Sequence, residues 1–150
     1  MPTFKSLKQL EKYAKQKVES AVKSPLVDAV FSQAMQDSVE VEVYSYYQAQ
    51  EYQNRYDKGG LSDMSNMQFT SHKTNGNTVV SNFENLTVGV DSMNGQYISE
   101  VIENGSTTAW ATPDGAWADP RPFTKATADR LNNSEYNGYL KVVLETEINS

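Results

Sequence analysis

Few residues of this chain have the types and spacing that chemistry needs. His72 stands alone, with no second imidazole to share a metal or a proton relay, and it falls in a stretch that reads as a hairpin strand. An ordinary surface histidine is expected there. Asp91, Asp114 and Asp119 could supply the carboxylate pair of a glycosidase, yet nothing in their spacing fixes the separation such a pair requires, and loop aspartates more often cap or turn the backbone. Lys58-Gly59-Gly60-Leu61-Ser62-Asp63 has the flavour of a phosphate loop but not the Gly-x-x-x-x-Gly-Lys-Ser/Thr order that places amides and a lysine around phosphate. Glycines at a loop hinge are the better account. Tyr44, Tyr46, Tyr47, Tyr52 and Tyr56 could stack single-stranded bases, but the charges among them, Glu51, Arg55, Asp57 and Lys58, cancel. Tyrosines on a loop suit protein interfaces, being large, rigid and able to hydrogen bond.

Composition narrows the field further. The chain has 150 residues and no cysteine, so thiolate chemistry, disulfides and cysteine zinc sites are excluded, and no metal or other cofactor is expected. Its length suits one domain with one core. Net charge is −6, and the basic residues are scattered apart from an N-terminal cluster, which disfavours tight nucleic-acid binding. A wall that DNA slides past without sticking remains compatible with it. No apolar run is long enough for a membrane span, and Met1 to Ser6 lead into charged sequence without the apolar core of a signal peptide. Synthesis in the cytoplasm is expected.

The elements that must carry these residues can be read from period and punctuation. Ser6-x-x-Gln9 matches a capping box, followed by Leu7, Leu10, Ala14, Val18 and Val22 at helical spacing. Ser24-Pro25 restarts a helix with Leu26, Val27, Val30, Phe31 and Ala34 on its apolar face, predicting a bent or broken helix to about Met35. Val39 to Tyr44 alternates valines with acids and predicts a strand. A long loop is expected from Tyr46 to Met67. Asn75-Gly76 predicts a type I′ hairpin between strands 67–74 and 77–83, with residues 85–90 continuing the sheet or forming a further strand. Residues 98–102 fit a short helix or strand, 106–122 read as irregular, and helix is expected from about Thr124 to Leu131 and again after Ser134. The fold class is α+β: an N-terminal bent helix, a central, mostly antiparallel sheet with a long loop, and C-terminal helices.

Taken in order, the leading helix, Tyr46-x5-Tyr52-x2-Arg55-x3-Gly59-Gly60-Leu61-x-Asp63-x2-Asn66, then Ile102-Glu103-x-Gly105, then Pro120-Arg121-Pro122-Phe123 resemble the tail-completion, tail-terminator or head-tail joining neck proteins of long-tailed double-stranded DNA phages. The resemblance implies an α+β virion subunit that closes into a hexameric ring at the head-proximal end of the tail tube. It implies contacts with itself, with the tail-tube protein and with the head connector or stopper, while genome DNA passes through the lumen. Tyr46, Tyr52, Arg55, Gly59, Gly60, Leu61, Asp63, Arg121, Pro122 and Phe123 are the interface residues it suggests. In this reading the loop moves on its glycines, Arg121 reaches a neighbour's carboxylate, and Phe123 pins the entering helix. Other readings are a tail-tube subunit, a minor capsid adaptor, a carboxylate-based cell-wall hydrolase and a module that captures a host protein.

Overall fold

A computed structural model describes residues 2–45, 55–89, 95–105 and 119–150. The first helix, α1 (Leu7–Val22), begins where Ser6 Oγ accepts from the Gln9 amide at 3.3 Å, and the Gln9 side chain returns a bond to the Lys5 amide at 2.9 Å. The capping box is therefore present with its second bond one residue early. Extended backbone at Ser24 breaks the chain, and α2 (Pro25–Val39) starts with Pro25 in its first turn and Ser24 Oγ accepting from the Val27 amide. The helix is thus broken into two at Ser24-Pro25, one of the two forms the sequence predicts, as a proline that needs no amide at a helix start permits.

The strand expected over Val39 to Tyr44 is absent. Instead α2 runs on into a π-helical turn, Glu40–Tyr44. The physical reason lies in the valine spacing: Val39 and Val43 are four apart and both buried, and with Met35 they continue one stripe along the helix, while Val41 stays 45% exposed. Alternation over six residues mimicked a strand because every second pair of an alternating set is also an i,i+4 pair.

After a short 3-10 turn at Met64–Asn66 comes the hairpin of β1 (Met67–Asn75) and β2 (Thr78–Asn85), paired antiparallel with Phe69 opposite Phe83 and His72 opposite Ser81. A bulge interrupts the register between Phe69 and Ser71. Asn75 pairs with Thr78, so the turn residues are Gly76 and Asn77 rather than Asn75 and Gly76. Of those two only Gly76 takes a positive φ, +61°, the sign pattern of a type II′ turn rather than the expected I′. Among the described residues the sheet has these two strands alone. Residues 86–89 do not extend it; Val88 makes a single antiparallel bridge to Tyr97.

Then follow α3 (Ile98–Asn104), α4 (Phe123–Asn132) and α5 (Ser134–Asn149), the last capped by Asn133 Oδ1 accepting from the amides of Glu135 and Tyr136. Helices at both ends around a central antiparallel pair give an α+β fold. The core is a cluster of Met35, Val39, Val43, Leu61, Met67, Ile98, Ile102 and Phe123. Beside it Phe31 of α2 lies 4.9 Å from Phe69 and 5.3 Å from Phe83, ring centre to ring centre, so the hairpin's inner face is fixed on α2 by aromatic packing. A two-stranded hairpin is marginal in water by itself, and this packing supplies what it lacks.

Candidate functional site

The stretch from Arg55 to Asn66 folds into a tight loop locked against the core, and every motif residue in it has a structural task. Arg55 Nη2 donates to the Val88 carbonyl at 2.7 Å. Gly59 adopts φ +79°, which favours glycine, and its amide donates to Asp63 Oδ2 at 2.7 Å. Gly60 is buried, and a Cβ there would lie 2.4 Å from the Tyr56 carbonyl oxygen, so only glycine fits. Its carbonyl accepts from Thr87 Oγ1 at 3.1 Å and Asn66 Nδ2 at 3.2 Å. Leu61 is 2% exposed; its amide donates to the Tyr44 hydroxyl at 3.2 Å and its carbonyl accepts from Asn85 Nδ2 at 2.8 Å. The Ser62 carbonyl accepts from Gln36 Nε2 at 2.8 Å. Asp63 caps the 3-10 turn, taking bonds from the Ser65 hydroxyl and amide as well as from Gly59, and these donors hold its carboxyl below the usual range.

The second motif meets the same place. Arg121 Nη1 donates to the Val43 carbonyl at 3.0 Å and the Arg121 amide donates to the Ile102 carbonyl at 2.9 Å. Pro122 is exposed at the start of α4, and Phe123 is fully buried in the cluster that also holds Leu61 and Val43. Thus Leu61 and Phe123, distant in sequence, share one core at the end of the α2 helix. Tyr46 and Tyr52 lie outside the described residues, as do Asp91, Asp114, Trp110 and Trp117. Sequence reasoning missed Gln36, Asn85 and Thr87, the side chains that satisfy the loop's carbonyls. A partial signal existed in their polar character beside apolar neighbours, since buried polar groups need partners.

His72 is half-buried, with Nδ1 2.7 Å from Ser81 Oγ and its ring 4.9 Å from that of Phe69. It is a packed member of the hairpin's inner face. Among the described residues no three histidine or acidic side chains converge as a metal site would require.

What the surface does offer is apolar. The α1 stripe expected to face the core is largely open: Leu7 is 78% exposed, Leu10 43% and Val18 38%, and Ala14 is exposed between them. Beside this stripe runs a cleft whose lining includes Ala14 and Val18 of α1, Val79 and Gly76 of the hairpin, and Glu11 and Lys15 at its rim. Thr74 Oγ1 donating to Glu19 Oε1 at 2.6 Å ties the hairpin to α1 there. A second apolar patch lies on α5, where Tyr139 and Val142 are 58% and 61% exposed. Contiguous open apolar side chains on a small folded chain mark contact surfaces.

The chain thus combines a packed interior with two helix faces that are apolar and open. Compared at the level of families, residues 6–150 match the YomN family, and the chain belongs to that family, which is phage-associated. No curated protein and no solved structure matches it. No helix among the described residues is long and apolar enough to cross a membrane.

Proposed function

We propose that this chain is a virion structural protein of a tailed phage that caps the head-proximal end of the tail tube as a hexameric ring and joins it to the head connector. The observation that carries the reading is the open apolar stripe on α1, because a helix face patterned for burial and left uncovered is suited to contact another surface. The phage association of the family and the resemblance of the ordered motifs to neck proteins support it from the sequence side. The role is structural, with no catalytic group or cofactor; the partners are further copies of the chain, the tail-tube protein and the head connector or stopper. The surplus of acidic residues suits a ring through which DNA passes, since a wall that attracted phosphates would retain the genome.

The test is removal of the gene from the phage, followed by electron microscopy of lysates and averaging of wild-type particles. A terminator gives filled heads without joined tails, tails of uncontrolled length, and density for the chain at the neck. Normal particles, or density along the whole tube, would reject the reading in favour of a dispensable protein or a tube subunit respectively.

A further inference from the structure

We propose that the two open apolar patches are two halves of one contact: the α1 stripe of one copy packs on the Tyr139–Val142 face of α5 of the next. This deepens the ring reading and rests on it for the closure of the assembly. Charge decides the pairing. Residues 1–23 carry six lysines against two glutamates, so of the net −6 the remaining residues contribute −10. Lys8 and Lys15 are exposed and flank the stripe of Leu7, Leu10, Ala14 and Val18 on one side with Glu11 between them, and over α1 as a whole four lysines stand against two glutamates. On α5, Glu135, Tyr139 and Val142 fall on one outward face, with exposed Glu145 beside it.

An α1-on-α1 contact would bring together two helices of net positive charge, and an α5-on-α5 contact two of net negative charge; like charges across an interface are costly, whereas α1 on α5 pairs opposite signs. Two different patches can pair head to tail, giving a ring if the rotation closes and a filament if it does not, whereas a reciprocal pairing about a two-fold axis stops at a dimer. A second copy of this chain is therefore the occupant that fits both patches at once.

The chain has no cysteine, so Ala14→Cys and Val142→Cys each place one thiol in the molecule. Treated with a short bis-maleimide, an equal mixture of the two variants is expected to give a cross-linked dimer, and each variant alone to remain largely uncoupled. Lys8→Glu with Lys15→Glu in the Ala14→Cys chain should lower the yield about fivefold at low salt, two exposed ion pairs being lost. Glu135→Lys with Glu145→Lys in the Val142→Cys chain should restore it, and circular dichroism checks that all variants fold. Coupling within one variant, no coupling in the mixture, or reversal without rescue would each overturn the contact. Rings seen by microscopy without the Ala14 to Val142 cross-link would reject this contact and leave the ring reading standing. The cross-link in open filaments alone would do the reverse.

Discussion

Arg121 Nη1 donates to the main-chain carbonyl of Val43 at 3.0 Å, joining the chain just before α4 to the π-helical turn that continues α2. Helix ends leave carbonyls without intrahelical partners, and a guanidinium is well suited to one because it cannot deprotonate and interacts favourably with the negative end of the helix dipole. Tyr44, the next residue, binds the Leu61 amide through its hydroxyl. The end of α2 is thus the point where both motif-bearing segments are fastened.

For Arg121 the expected result follows from that bond. Arg121→Ala should lower stability by about 1.5–3 kcal/mol, the usual scale for a charged hydrogen bond at a half-buried site, and Arg121→Lys should recover part of it. Urea unfolding midpoints of the monomer measure this. An intersubunit role would instead leave the midpoint unchanged and shift only the assembly mass, so the pair of readings separates the two roles.

Gly60 gives the sharpest contrast among the glycines. A Cβ there meets the Tyr56 carbonyl oxygen at 2.4 Å and the Tyr56 amide nitrogen at 2.6 Å, both main-chain atoms that cannot swing aside. Gly60→Ala should cost about 3 kcal/mol, the upper end of ordinary overpacking. Gly138, in the second turn of α5 with nothing within 4 Å of an added Cβ, provides the opposite sign: Gly138→Ala should stabilise by about 0.5–1 kcal/mol. Thermal denaturation of both variants tests it, and equal behaviour would refute the packing of the Gly59–Asp63 loop.

The sequence made the fold legible where a signal was chemical and local. Ser6, Ser24 and Pro25 mark helix starts because their side chains or ring act within one turn, and the hairpin was found because few residues tolerate its turn. Val39 to Val43 was misread because a valine stripe at i,i+4 alternates as well. Gly59 to Asp63 read as a hinge because glycines permit motion, yet here one glycine supplies a positive φ and the next a close approach of main chains. The openness of α1 was not legible at all: an apolar stripe predicts a buried face without saying which molecule buries it.

Tyr136 should make stability depend on alkaline pH. Its hydroxyl hydrogen bonds to the Asp37 carboxylate, fastening α5 to α2, and burial first, then that bond and the Asp37 charge, push its pKa up from 10.0 to about 12. The protonated, neutral form is the one the fold favours. Stability from this group is therefore complete below about pH 10, the unfolded value, and is lost as pH rises toward about 12. Tyr136→Phe should flatten that decline in part, with Tyr44, also raised chiefly by burial, contributing in the same direction. Unfolding midpoints at pH 8, 10 and 11.5 check it, and an unchanged slope in Tyr136→Phe would reject the assignment.

Phe123 and Pro122 are neighbours with opposite expected behaviour. Phe123 is 0% exposed and lies in the cluster with Val43, Leu61 and Ile102, so its ring closes the core between the end of α2 and the start of α4. Deleting a buried aromatic loses its transfer energy and leaves a cavity that rigid neighbours fill only partly, so Phe123→Ala should cost about 3–5 kcal/mol. Pro122 is exposed, and its side chain makes no cap hydrogen bond. Its carbonyl, which accepts from the Ala126 amide, is main chain and survives substitution, so Pro122→Ala should stay within about 0.5 kcal/mol of the parent. Because Leu61 packs in the same cluster, Leu61→Ala combined with Phe123→Ala should cost measurably less or more than the two separate losses added, as contacting core residues do. Strict additivity of the three urea midpoints would show that the two motifs do not meet in one core.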